Sequence, residues 1–414
     1  MITKKLFKED VYLRKSEAEV LSSDAESRTL VLDRTLFFPE GGGQTCDSGY
    51  IDDLLVTNVY EKDGVVYHNV AVDNLDVLPK AGDKVVLVLD WGRRFDNMQR
   101  HCGEHILSGV FFRECGAVNR GFHMGENYMT IDMNLEEDPS GRNPRPEKID
   151  WPLAMDIEKS ANEIIWQNVP VTVRNFDNRK EASGLPLRKA LAIDEEISIV
   201  CVGDIHDPAD CVACCGTHPS TSGQVGSIKI LKVENYKGMY RIYFEAGARA
   251  LTLFDKSHDV LMSIGNRYSA GLEDILDKMA AAETKNKKTR DALYVLKQSV
   301  TGSRVAEIEA LLDSASRDNS IIIREYDDMS VDDLLNIGRP LIDKIRKLLI
   351  IAAPSENTLL LFSDGKSIDC GRLVKENAPI YQGKGGGSRQ NARAIFPKKE
   401  SMDVFVDLLE KHLR

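Results

Sequence analysis

Arg100-His101-Cys102-Gly103-Glu104-His105 carries two imidazoles four residues apart. On a helix that spacing puts both rings on one face, about one turn apart, where they reach a single divalent ion. Much further along, Cys214-Cys215-Gly216-Thr217-His218 repeats the spacing with a thiol and an imidazole. His101, His105, Cys214 and His218 are nitrogen and sulfur donors, a set that suits Zn²⁺ better than hard, oxygen-seeking ions. Neither half is specific alone, since two histidines at this spacing also pack or face solvent. Both halves in one chain point to a shared metal. Cys211 and Cys215 lie close enough to His218 to leave the second half open. Cys211-Val212-Ala213-Cys214 also reads as a redox pair or one zinc-ribbon knuckle, although no second CxxC completes a ribbon. Glu104 additionally gives the HxxEH pattern of inverted zinc peptidases, in which the Glu is a general base and a distant Glu is the third ligand.

Two glycine-rich stretches could approach a ligand with backbone amides. Phe37-Phe38-Pro39-Glu40 leads into Gly41, Gly42, Gly43 and Gln44, a run that can form an anion-binding nest beside a side-chain amide, or simply a flexible loop between strands. Near the C-terminus, Lys384, Arg389, Arg393, Lys398 and Lys399 flank Gly385, Gly386 and Gly387 with no acid between them. Such a cationic surface suits a phosphate backbone. Gly365-Lys366-Ser367 is not a phosphate loop, because Leu360 stands where that motif needs Gly.

The elements that must position these groups follow from periodicity and turn signals. Thr29 to Leu36, Leu55 to Tyr60, Val65 to Val70 and Lys84 to Leu89 are β-prone runs, and Asp63-Gly64 is a hairpin turn. They predict a small antiparallel β-barrel or sandwich over residues 1–90. The histidine helix follows, continued by Ile106, Leu107, Val110 and Phe111 at helical spacing. Asn134 to Asp150, with Pro139, Pro144 and Pro146, reads as a surface loop. A helix from Leu153 to Gln167 and strands at Val169 to Arg174, Ile197 to Val202 and Ser227 to Val233 put Cys214 to His218 on an interstrand loop, within an α+β core spanning 91–250. Leu272, Ile275, Met279 and Ala282 predict a helical arm over 251–316, a spacer or dimerisation element. Strands at Ile321 to Arg324, Leu348 to Ala353 and Leu359 to Phe362 alternate with helices at Val331 to Ile337, Leu341 to Lys347 and Met402 to Leu413 in a small α/β domain over 317–414. The fold class is therefore α+β and multidomain.

With 29 % charged and 42 % hydrophobic residues among 414, the chain has an ordinary globular composition. Its net charge of -11 argues against a general nucleic-acid coat while leaving room for local basic patches. Met1 to Lys15 is charged throughout, and no apolar run could span a bilayer, so no membrane partner and a cytoplasmic location are expected. There the eight cysteines are expected as thiols or metal ligands, not disulfides.

Leu32 to Gln44, the helix at His101 and His105, and the CCGTH segment together resemble the editing domain shared by alanyl-tRNA synthetases and the free-standing alanyl-tRNA editing proteins of the AlaX family. The GKGGGSRQNARA segment is similar to the DHHA1 domain of those proteins, giving a long-form editing protein from about residue 5 to the C-terminus. The resemblance implies zinc held by His101, His105, Cys214 and His218. It implies a pocket for the misattached amino acid lined by Thr35, Gly41, Gly42, Gly43 and Gln44, with Thr35, Gln44 and Glu104 as candidate catalytic groups. From their cationic surface Lys384, Gly386, Gly387, Arg389 and Arg393 are expected to bind tRNA, and the helical arm with the DHHA1-like domain is expected to form a homodimer. The implied substrate is tRNA(Ala) mischarged with serine or glycine. A chain that starts at the editing portion is expected to deacylate tRNA, not to charge it. A tRNA-binding protein with a purely structural zinc is the non-enzymatic alternative. The sequence departs from the family pattern at Phe38, where Tyr is frequent, at Cys215, where Gly is usual, and at Glu104, where a neutral residue is common. Glu104 is expected to add acid-base capacity or, more simply, to face solvent.

Overall fold

Alternating apolar and polar residues close the first part of the chain into a barrel. In the computed structural model, which describes residues 2–136, 145–191, 194–314 and 321–413, six strands take part: β1 (Lys15–Asp24), β2 (Thr29–Leu32), β3 (Gly49–Ile51), β4 (Leu54–Lys62), β5 (Val65–Ala71) and β6 (Lys84–Leu89). They are antiparallel in the closed order β1-β2-β5-β4-β3-β6. Leu30, Leu32, Ile51, Val56, Val59, Val66 and Leu87 fill the interior without exposure. Asp63 and Gly64 both have positive φ (50° and 76°), the conformation of a two-residue hairpin whose twist matches its strands. The periodicity reading misses β1, because its outward residues are charged and only Ala18 and Val20 are buried.

Helix α1 (Trp91–Cys115) follows, capped by the Asp90 carboxylate accepting from the Arg93 N–H at 3.1 Å and ended by Gly116 at φ 62°. Its apolar side, with Ile106, Leu107, Val110 and Phe111, enters a core built with α2 (Trp151–Trp166) and a four-stranded antiparallel sheet. That sheet comprises β7 (Ala117–Met124), β8 (Met129–Leu135), β12 (Ile228–Tyr236) and β13 (Met239–Ala246), in the order β12-β13-β8-β7. A second sheet of β9 (Val171–Asn178), β10 (Glu195–Gly203) and β11 (Pro208–Ala213) leads into the Cys214 to His218 loop. Of the expected loop from Asn134 to Asp150, residues 137–144 lie outside the described residues.

By internal contacts the chain divides into two units, Met1–Ser263 and Ile264–Arg414. Helix α3 (Ala248–Tyr268) runs across that division, and α4 (Ile275–Ser314) is 40 residues long with Leu276, Leu293, Tyr294, Val295 and Leu296 exposed. In the second unit β14 (Ile321–Glu325), β15 (Leu348–Ala353), β16 (Thr358–Phe362), β17 (Lys384–Gly387) and β18 (Asn391–Ile395) form a sheet in the order β14-β15-β16-β18-β17. Only β14 and β15 pair parallel. Helices α5 (Val331–Gly338), α6 (Cys370–Asn377) and α7 (Lys399–Leu413) complete the unit. The expected helix from Leu341 to Lys347 is a correction: a tight 3-10 turn covers Arg339–Lys344, and Ile345 is already extended. The glycine-basic segment forms the β17–β18 hairpin at the sheet edge, with Lys384, Arg389 and Arg393 exposed. Arg389 meets an acid the linear reading did not supply, Asp369 at 3.3 Å.

One buried ion pair joins the barrel to α1. Arg94, which has no exposed surface, donates to both Asp47 oxygens (3.1 and 3.0 Å from Nε), to Val11 O and to Leu36 O, while Asp47 also accepts from the Phe38 N–H. Removing one member strands the other without water, which costs about 3–5 kcal/mol. Asp47→Ala is therefore expected to lower the unfolding free energy by about that amount, measured by denaturant titration.

Candidate metal centre

The four donors named by spacing converge. One ligand atom from each of His101, His105, Cys214 and His218 lies within 4.8 Å of the others. Cys214 Sγ is 3.4 Å from His101 Nε2 and 3.7 Å from His218 Nε2. Donors bound tetrahedrally to zinc at ~2.0–2.3 Å stand roughly 3.3–3.8 Å apart, so these separations suit that ion. His105 Nε2 is buried with no hydrogen-bond partner, an orphan that a cation would satisfy. Among the described residues no Glu joins the cluster, and Cys214 and His218 stand where the peptidase pattern needs a distant Glu.

Two of the three rings are held from behind, which fixes the nitrogen each presents, whereas His218 Nδ1 is buried without a partner. His101 Nδ1 donates to Gln44 Oε1 at 2.9 Å, leaving Nε2 free toward the cluster, and His105 Nδ1 donates to Asp210 Oδ2 at 2.9 Å. Gln44 is in turn locked by Thr217, whose N–H donates to its Oε1 (3.0 Å) and whose hydroxyl accepts from its Nε2 (2.8 Å). Gln44 thus ties the barrel loop directly to the CCGTH segment and to His101. Gly216 makes this possible: a Cβ there would lie 2.2 Å from His101 Cε1 and 2.9 Å from Gln44 Oε1. Gly42 (φ 59°) and Gly43 (φ 83°) form a tight turn closed by Gly41 and Gln44, and a Cβ on Gly43 would strike Phe122 at 2.6 Å. This stretch is a defined turn and not a loose loop.

Burial disfavours the Cys214 thiolate, yet His101, His218 and His105 outweigh it and hold its pKa well below the usual thiol value. Burial alone would also lower His105, but Cys214 and Asp210 raise it to about 10; burial holds His218 down at about 4. The cluster therefore concentrates a thiolate among imidazoles and draws a positive charge to its centre, as a cation-binding site should.

A cavity of about 210 Å³ opens beside the donors, lined by Gly42, Glu104, Asn119, Phe122 and Arg188 together with His101, His105 and Cys214. Glu104 does not face solvent as expected. It is 5 % exposed, because the next turn of α1 and strand β7 cover it: its Oε1 accepts from Ser108 (2.6 Å) and Asn119 (2.7 Å). Thr35 lies in the barrel with no exposed surface. His68 Nδ1 bonds the Leu30 carbonyl, so its Nε2 accepts from the Thr35 hydroxyl at 2.8 Å, and that hydroxyl accepts from the Phe37 N–H. Burial keeps the His68 ring neutral by lowering its pKa to about 4. Cys211 faces away from the cluster and is joined to Cys201, directly opposite it on β10, so one cysteine pair departs from the expected thiols. Cys215 is exposed, with its sulfur near the Gly42 turn. Asp210, Asn119 and Arg188 escaped the sequence reading. Only Asp210, four residues before Cys214, carried a positional signal.

Comparison with known proteins adds the following. Residues 6–93 match a family described as tRNA synthetases class II (A), and residues 197–243 match the threonyl and alanyl tRNA synthetase second additional domain. The alanyl-tRNA editing protein AlaX-L of Pyrococcus horikoshii is 28 % identical over 431 aligned positions, covering 100 % of both chains. Alanine-tRNA ligases of Pyrococcus abyssi (27 %) and Archaeoglobus fulgidus (28 %) match 98 % and 99 % of this chain, which spans 44 % of each ligase. Similarity to AlaX-L along the whole chain, with the second additional domain running from β10 to β13 through the Cys214 to His218 loop, establishes the resemblance of this protein to the long-form alanyl-tRNA editing proteins of the AlaX family.

Proposed function

We propose that this protein is a trans-editing deacylase that hydrolyses the ester joining a wrong amino acid to tRNA(Ala), with Ser-tRNA(Ala) as principal substrate and Gly-tRNA(Ala) as a second. The observation that carries this reading is the four-donor cluster opening onto a small polar cavity, in a chain similar throughout to an alanyl-tRNA editing protein. The chemistry is apt, because a charging pocket discriminates poorly against an analogue that differs by one hydroxyl, and a second hydrolytic site removes the error.

In this reading His101, His105, Cys214 and His218 hold zinc, which supplies a Lewis acid at the cavity when bound. The remaining work belongs to the chain. Gln44 and Asp210 orient two of the imidazoles, and the Gly42–Gly43 turn brings backbone close to the cavity. Phe122 lies against the His101 ring at a centroid distance of 5.6 Å and walls the cavity on that side. Gln44, expected to touch substrate, is a positioning residue by this geometry. Lys384, Gly386, Gly387, Arg389 and Arg393 on the β17–β18 hairpin are assigned to tRNA backbone, and the exposed apolar residues of α4 to a homodimer contact. We retain the four-part division at residues 90, 250 and 316 as the functional layout.

Purified protein is expected to release serine from Ser-tRNA(Ala) rapidly and to spare Ala-tRNA(Ala), with the activity lost on chelation and restored by Zn²⁺; zinc-loaded protein that cleaves neither ester would exclude the assignment. Gly216→Ala, which drives a methyl group into His101, should retain its circular dichroism spectrum while binding zinc substoichiometrically. Because the Thr35 hydroxyl is already committed to His68 and Phe37, Thr35→Val decides whether it reads the serine hydroxyl. Its role in selectivity requires the Ser:Ala cleavage ratio to fall, and an unchanged ratio removes Thr35 from that role.

A further inference from the structure

Two residues that line the same cavity, Glu104 and Arg188, keep an atom without a protein hydrogen bond once the metal donors and their supports are accounted for. Glu104 Oε1 is engaged by Ser108 and Asn119, whereas Oε2 takes no hydrogen bond among the described residues. Arg188, 8 % exposed, is held to Asp210 through Nε (2.5 Å) and Nη2 (3.3 Å), and its buried Nη1 has no partner. The two groups are neighbours, with Arg188 Nη2 3.9 Å from Glu104 Oε1, and both line the cavity with His101, His105 and Cys214. Asp210 is unlike Glu104, because His105 and Arg188 together occupy both its oxygens. The cavity is thus lined by a carboxyl group and a guanidinium side by side, the guanidinium with one buried N–H group left unpaired.

A carboxylate oxygen that takes no hydrogen bond from the protein beside a cavity suits a cation or a strong donor from a ligand. Every aminoacyl ester presents a protonated amino group one carbon from its carbonyl, so one small ligand satisfies both leftover sites. We propose that Glu104 binds the α-ammonium of the esterified amino acid while Arg188 Nη1 donates to its acyl carbonyl oxygen, which restricts the site to α-aminoacyl esters with a free amino group. This rests on the deacylase reading given above. It assigns a substrate-binding role to the acid that distinguishes the HCGEH helix from the family pattern, and it confines Asp210 to positioning.

The test compares Ser-tRNA(Ala) with N-acetyl-Ser-tRNA(Ala), using the zinc-loaded full-length protein and Glu104→Gln. Glutamine keeps an oxygen for Ser108 and Asn119 but removes the charge. Wild-type protein is expected to show kcat/KM at least about tenfold higher for the free-amine ester, since a site built around a polar group rejects the analogue lacking it. Glu104→Gln is expected to lose at least about tenfold more on the free-amine ester than on the acetylated one, with zinc content and melting temperature unchanged. Equal losses on both esters would overturn the proposal by reducing Glu104 to a structural role. Equal cleavage of both esters by the wild type overturns it without any variant, which keeps the proposal falsifiable should Glu104→Gln misfold. Cleavage of neither ester by the wild type overturns the deacylase reading itself, and this assignment with it.

Discussion

The Arg94–Asp47 pair is the constraint on which the metal centre depends. Both members are fully buried, so the attraction operates without the screening that weakens a surface pair, and five hydrogen bonds from Arg94 fix its geometry. It pins the barrel wall that leads into the Gly42–Gly43 turn against the first turns of α1. From Arg94 a polar stripe continues along the same helix through Asn97, His101, the adjacent Glu104 and His105, and Ser108, all buried, each step between turns spanning three or four residues. The stripe passes from the clamp to the metal donors to the cavity acid. A helix that would otherwise bury an apolar ridge here buries chemistry.

Division of labour among the acids follows from what packs around them. Asp210 lies between His105 and Arg188, and Arg188 leads the forces that lower its pKa against burial. It is ionised and fully occupied, which makes it a strut. Glu104 lies one helical turn before Ser108, is held through one oxygen, and lines the cavity. Two buried carboxylates within one centre thereby acquire different tasks from their hydrogen-bond partners alone.

Much of this was legible in the sequence because the donors sit at spacings that secondary structure converts directly into proximity. His101 and His105 need only a helix, and Cys214 and His218 need only a short loop. Strands β2, β4, β5 and β6 announced themselves by β-branched runs, whereas β1 hid behind charged outward residues and β17 behind glycines that carry no side-chain signal. Glu104 was misjudged because the cover it receives comes from Asn119 on the following strand, a tertiary contact with no local trace. Arg188 left even less, since it reaches the cavity from a loop whose polarity resembles any surface segment. The supports of the site are non-local where its ligands are patterned.

Gln44 touches His101 at a sequence separation of 57 and Thr217 at 173, and Cys214 meets His101 across 113 residues. Contacts so distant are expensive in chain entropy and form late, after the barrel, α1 and the β9–β11 sheet have each found their own local partners. A newly made chain therefore has no complete set of donors until both lobes have docked on the helix. A chain that stalls partway thus holds its donors only as two separate pairs, His101 with His105 and Cys214 with His218, and not as the four-donor cluster.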